Sequence, residues 1–149
     1  MNKSKNDINA TFSSVPHRLI ITEKPSQAKG YAAVLGANKR EDGFFNGNGN
    51  IVSWCYGHLL EPAPPEAYDE RYANWQYTDL PIVPVKWKHL PAKSKAAQLK
   101  ILKSLMNRDD VDTIVNACDA GREGELIFRL AYEHAKCEKP IKRLWILCD

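Results

Sequence analysis

A chain of 149 residues, 44% hydrophobic and 26% charged, is bounded to one soluble globular domain, with a core large enough to stand without metal or disulfide staples. No run approaches the roughly 20 apolar residues of a membrane span, and Leu19-Ile20-Ile21 is too short for the core of a signal peptide; the cytoplasm is the expected compartment, with no membrane partner. The four cysteines (Cys55, Cys118, Cys137, Cys148) form no CxxC pair, which argues against a zinc site and a disulfide framework.

Residues 1–16 are polar and aperiodic and read as a disordered leader ending at Pro16, so that the domain runs over 17–149. Arg18 to Thr22 reads as a buried strand. Pro25 is a good first-turn residue, and Ala28, Ala32, Val34 and Leu35 suggest one face of a helix stopped by Gly36. Phe44 to Asn50 is turn chemistry, and Ile51 to Tyr56 is a strand ending at Gly57-His58. Glu61 to Tyr77 is rich in proline and aromatics. It reads as a long ordered loop, because Tyr68, Tyr72, Trp75 and Tyr77 need something to pack on. Ile82 to Trp87 is extended, with Pro84 confining it to an edge or an irregular segment. Ala96, Leu99, Leu102 and Met106 recur at helical spacing within Ala92–Met106. Thr113 to Cys118 is the best central strand. Gly121 to Ala135 is a helix with Leu126, Ile127, Leu130 and Ala131 on one side, and Arg143 to Leu147 is a last strand. Strands alternating with helices imply an α/β fold, a mainly parallel sheet with helices on both faces.

Three carboxylates stand where such a sheet binds its ligands, outside the carboxyl ends of the strands. Glu23 follows the first strand, Asp119 follows the central strand, and Glu123 comes one helical turn later. Their mutual repulsion is relieved by a hard divalent cation, for which oxygen donors and retained water suit Mg²⁺. The competing explanation is helix capping, with Asp119 as N-cap and Glu123 and Glu125 favoured by the macrodipole; it does not account equally well for Glu23. Lys24 and Arg122 lie beside these acids. They are placed to stabilise phosphate charge, or simply to pair with their neighbours. His58 is a phosphate or base contact, or a structural histidine. From Lys86 to Arg108 seven basic residues, Lys93, Lys95 and Lys100 among them, occur without an Asp or Glu. That is the stripe a polyphosphate selects, or else a solvated helix face. Gly47-x-Gly49 lacks the context of a dinucleotide fingerprint, and no GxxxxGK[ST] is present.

At this point the residues resemble a family. Ile21-Thr-Glu-Lys-Pro-Ser-Gln-Ala28, Tyr56-Gly-His-Leu-Leu-Glu61, Asn116-Ala-Cys-Asp-Ala-Gly-Arg-Glu-Gly-Glu-Leu126 and Arg143-Leu-Trp-Ile146 resemble, in order, segments of the type IA DNA topoisomerases of the topoisomerase III kind. The matches span roughly residues 17 to 146, and the Arg-Glu-Gly-Glu run distinguishes this family from other Toprim proteins. The resemblance implies a Toprim domain, a Rossmann-like, mainly parallel sheet that binds Mg²⁺. It also implies an enzyme that cuts one DNA strand with a tyrosine on another domain, passes a strand and reseals. It assigns Glu23 as general acid or base near the metal, Lys24 to the scissile phosphate, Asp119 as metal ligand, Arg122 and Glu123 to the acidic site, and His58 to DNA.

Two departures follow. The family's common second aspartate falls at Gly121, which shifts load onto Glu123. The sequence then runs Leu147-Cys-Asp149, where the family continues, and none of Tyr31, Tyr56, Tyr68, Tyr72, Tyr77 or Tyr132 matches the cleaving tyrosine. The expectation is the N-terminal Toprim portion of a topoisomerase, with Mg²⁺, a single-stranded DNA segment and the rest of the topoisomerase as partners. The alternatives are a self-sufficient metal-dependent Toprim nuclease, which needs no tyrosine, and a nucleic-acid-binding module whose carboxylates are only caps.

Overall fold

The computed structural model describes residues 16–146. The leader assigned to residues 1–16 thus lies, but for Pro16, outside the described residues, as do Leu147, Cys148 and Asp149. Strand β1 (His17–Thr22) pairs in parallel with β4 (Asn50–Trp54) on one side and with β7 (Val111–Ala117) on the other. Its apolar residues alternate between two cores. Leu19 and Ile21 face a layer built with helices α2 (Ala96–Met106) and α3 (Arg122–Ala135), while Ile20 faces helix α1 (Pro25–Leu35). Strand β8 (Ile141–Arg143) joins β7 in parallel, and β2 (Lys39–Glu41) and β3 (Phe44–Gly47) add an antiparallel edge beside β4. The order β2-β3-β4-β1-β7-β8 therefore holds a parallel centre of four strands with helices on both faces, the expected architecture with an antiparallel margin.

The topology locates the site. From β1 the chain crosses over α1 towards β4; from β7 it crosses over α3 towards β8, on the opposite face and in the opposite direction. The two connections part between the carboxyl ends of β1 and β7, leaving a crevice there.

Several local expectations need correction. Val34 is 86% exposed: at 100° per residue it stands far round the helix from Ala28 and Ala32, which α1 buries. Leu126 and Ala96 likewise fall off the buried stripes of α3 and α2. Phe44 to Gly47 is strand, and only Asn48-Gly49 is turn. With φ of 50° and 70° these two residues make the tight hairpin that the pairing of Gly47 with Asn50 requires. The last strand lies at 141–143, since β8 can pair only with Ile114–Asn116 before β7 ends; the Leu144 N–H gives one more bond, to the Asn116 carbonyl.

The segment after β5 (Leu60–Pro62) departs most. It runs through short 3-10 turns at Pro65–Ala67, Glu70–Asn74 and Tyr77–Asp79, then returns as β6 (His89–Pro91), antiparallel to β5. Its aromatics do not fill the core. Tyr68 is fixed through its hydroxyl to the backbone of Lys88, but Trp75 and Tyr77 are exposed, as are Val83, Val85 and Trp87. Ile82–Trp87 forms no strand, as Pro84 warned, and the pairing falls two residues later. Cys55, Cys118 and Cys137 are buried free thiols. No described helix is long and apolar enough to cross a membrane.

Candidate functional site

Glu23 and Lys24 form the turn between β1 and α1. Lys24 is the extended residue before the helix, its N–H donating to the Gln27 side-chain oxygen at 3.1 Å. The Gln27 amide then donates across the crevice to Asp119. Lys24 Nζ lies 3.4 Å from the Asp119 carboxylate and 4.0 Å from that of Glu23, answering both acids with one ammonium. Glu23 is the more buried, its side chain 12% exposed against 45% for Asp119.

The two carboxylates are thereby pushed apart in acidity. Glu23 is raised above the usual glutamate value, first by desolvation and then by the Asp119 charge, with Lys24 opposing. Asp119 is lowered, first by the Gln27 hydrogen bond and then, against the cost of burial, by Lys24. Burial and the neighbouring anion thus favour the neutral form of Glu23, while hydrogen bonding and Lys24 favour the ionised form of Asp119.

A second wall comes from the β4–β5 connection. Tyr56 and Gly57, both with positive φ, reverse the chain, and the Gly57 N–H donates to the Glu23 carbonyl at 3.1 Å. That pins His58 over the crevice, its Nε2 3.5 Å from the Glu123 carboxylate. Lys95, from the turn before α2, donates to the His58 carbonyl at 2.8 Å, so one lysine of the basic stripe reaches the rim.

The third wall is the β7–α3 turn. Gly121, not Asp119, is the residue before the helix, and no side chain caps it, so capping does not explain Asp119. Gly124 is buried against that turn. A Cβ there would penetrate the Asp119 carbonyl and lie 2.9 Å from its nitrogen, so only glycine lets the helix approach. Gly121 by contrast is extended, with nothing within 4 Å of an added Cβ. Behind the turn the Arg143 guanidinium donates to the carbonyls of Asn116, Cys118, Leu144 and Asp119 at 2.7–3.0 Å. Its Nε sits 3.3 Å from Glu125, which also accepts from Asn116.

These side chains converge at the switch point of a mixed α/β sheet, and a Toprim domain accounts for residues 18–148. The chain belongs to the Toprim family. It is 43% identical over 129 residues to a DNA topoisomerase 3 of Shouchella clausii, 45% over 128 residues to one of Staphylococcus saprophyticus and 44% over 128 residues to one of Bacillus cereus. The aligned region is 86–87% of this chain and 18% of each relative, so the chain spans about one fifth of their length.

Of the residues singled out in this Toprim sequence, Glu23, Lys24, Asp119, Glu123, His58 and Lys95 come together. Glu123 turns to His58, and among the described residues no three His, Cys, Asp or Glu side chains converge closely enough to hold an ion by themselves. Arg122 is exposed and has no ion pair with either neighbouring acid among the described residues; it lines a cleft with Leu126, Arg129 and Trp145. Lys93 and Lys100 are exposed, on the turn before α2 and on α2 itself. Gln27, Gly124 and Arg143 were not expected. All three lie inside the segments that carry the resemblance, but only the packing of α1, α3 and β8 around the crevice gives them work.

Proposed function

We propose that this Toprim domain supplies the acidic half of a type IA DNA topoisomerase active site, binding Mg²⁺ and a single-stranded DNA segment for cleavage and religation in the cytoplasm. The cleaving tyrosine on this reading comes from outside these residues. The carrying observation is the pair Glu23–Asp119, set side by side across the switch point and answered by Lys24 at 4.0 and 3.4 Å respectively.

The donor set fits Mg²⁺, which takes one or two carboxylates and completes its shell with water and phosphate oxygens. Glu23 and Asp119 would hold it, with Glu123 at the same rim; the ion would supply charge stabilisation at phosphate oxygens. Glu23, beside the crevice floor, is the group placed to deliver or remove the proton at the 3′-oxygen of the cut strand. Lys24 Nζ then leaves its carboxylate partners for the scissile phosphate. His58 and Lys95 line the DNA approach, with Lys93 and Lys100 adding longer-range attraction. Arg122 acts on a flanking phosphate, which its exposure allows.

The test is supercoiled plasmid incubated with the chain and Mg²⁺, beside a binding titration with a labelled single-stranded oligonucleotide. The expected result is oligonucleotide binding that weakens with salt, with neither relaxation nor nicking of the plasmid. Relaxation by the chain alone contradicts an external tyrosine. Nicking abolished by Glu23→Gln or Asp119→Asn establishes a nuclease instead.

A further inference from the structure

Helix α3 has a second face that the carboxylate chemistry does not use. Arg122, Leu126 and Arg129 are spaced four and three apart and share one stripe. Arg143 at the end of β8 and Trp145 just beyond it lie alongside. With Gly121 and Glu125 these residues line a cleft of about 490 Å³. Leu126 is 49% and Trp145 56% exposed, whereas Ile127 and Phe128 on the opposite face are buried. The Arg143 guanidinium lies 4.7 Å from the Trp145 ring centre, which steadies the indole as a plane at the surface.

The charge of the cleft is one-sided. Three guanidinium groups face one carboxylate, Glu125, which is bonded by Arg129 at 2.7 Å and approached by Arg143 at 3.3 Å. A surplus of positive charge remains at the end of the cleft nearest Gly121, two residues from Asp119. An exposed aromatic plane, an apolar neighbour and surplus guanidinium charge make a surface for single-stranded nucleic acid, whose bases offer π-faces and whose phosphates meet arginine. A duplex keeps those faces inside its stack.

We propose that the cleft between α3 and Trp145 is a base-stacking subsite for single-stranded DNA, extending the strand path from the carboxylate crevice. This rests on the DNA-binding reading above and adds a location and a mode of contact. A base stacks on the free face of Trp145 and against Leu126, and Arg122 and Arg129 meet the adjoining phosphates.

The experiment is fluorescence anisotropy of a labelled oligothymidine with the chain and its Trp145→Ala, Trp145→Phe and Arg129→Gln variants. Circular dichroism confirms that each variant is folded. A Lys93→Gln/Lys100→Gln double variant and an abasic oligonucleotide of the same length serve as controls. Trp145→Ala is expected to weaken oligothymidine binding about tenfold, Trp145→Phe to restore most of it, and the abasic strand to bind parent and Trp145→Ala alike. Oligothymidine affinity unchanged by Trp145→Ala, while the lysine variant binds more weakly, overturns the subsite and leaves DNA binding standing. No binding by the parent overturns both. Concentration-dependent self-association lost in Trp145→Ala would make the cleft an interface between copies and overturns the proposal.

Discussion

The crevice between β1 and β7 and the segment 63–88 are both irregular chain carrying polar or aromatic residues, yet they are held in opposite ways. In the crevice nearly every backbone turn has a dedicated partner: Gln27 for the start of α1, the Gly57 N–H for the Glu23 carbonyl, and Arg143 for the carbonyls around Asp119. The segment 63–88 has local 3-10 turns and the Tyr68–Lys88 contact, while Trp75, Tyr77, Val83, Val85 and Trp87 face outward. The acidic site is thus preorganised by tertiary contacts, whereas the outward-facing aromatic segment should contribute little to the stability of the domain.

Gly124→Ala should have the largest effect on the crevice. The added methyl has no room beside the Asp119 backbone, so the turn must move. We expect a loss of about 3 kcal/mol in urea unfolding, the upper end of overpacking costs, and loss of Mg²⁺ binding as well. Next comes Arg143→Met, which keeps the side-chain bulk but strips the carbonyls of Asn116, Cys118 and Asp119 of their donor. Unfolding should show about 2 kcal/mol of destabilisation, and the amide resonances of residues 117–121 should shift.

A smaller effect is expected at the opposite end of the sheet, where Arg108 grips Asp110 through two hydrogen bonds and lowers that carboxyl to about 2. A depressed acid contributes stability above its unfolded value of 3.8, and loses it as pH falls through about 2. Asp110→Asn should therefore cost about 1 kcal/mol at neutral pH. The gap to the parent should narrow as pH is lowered across that interval, with the crevice unaffected. The smallest effect belongs to the aromatic segment: Tyr77→Ser with Val85→Ser should change unfolding by less than about 0.5 kcal/mol. A larger loss would show that the segment packs in solution, and the comparison would fail.

Much of the frame was legible because it is local. The apolar run at Leu19–Ile21, Pro25 and Gly36 around α1, and the apolar stripe of α3 each declare an element within a few residues. The positions of Glu23 and Asp119 past two strands then led to the crevice. Failures arose where distant parts of the chain decide. Leu126 looked like core, but the stripe that β1 and β7 bury lies on the other side of α3. Trp75 and Tyr77 are left without the packing surface expected of them, whereas Tyr68 and Tyr72 are half-buried. Gly124 and Arg143 act only because α3 and β8 meet behind the β7 turn, a closeness no spacing in the sequence announces.

On the proposed reading Glu23 and Asp119 form one cation site. Isothermal titration of Mg²⁺ into the parent, Glu23→Gln, Asp119→Asn and Gly121→Asp tests it most directly. The parent should bind and either carboxylate substitution should weaken binding at least about tenfold. Gly121→Asp, entering open space at the same rim, should strengthen it. Binding unchanged by both Glu23→Gln and Asp119→Asn would contradict the account.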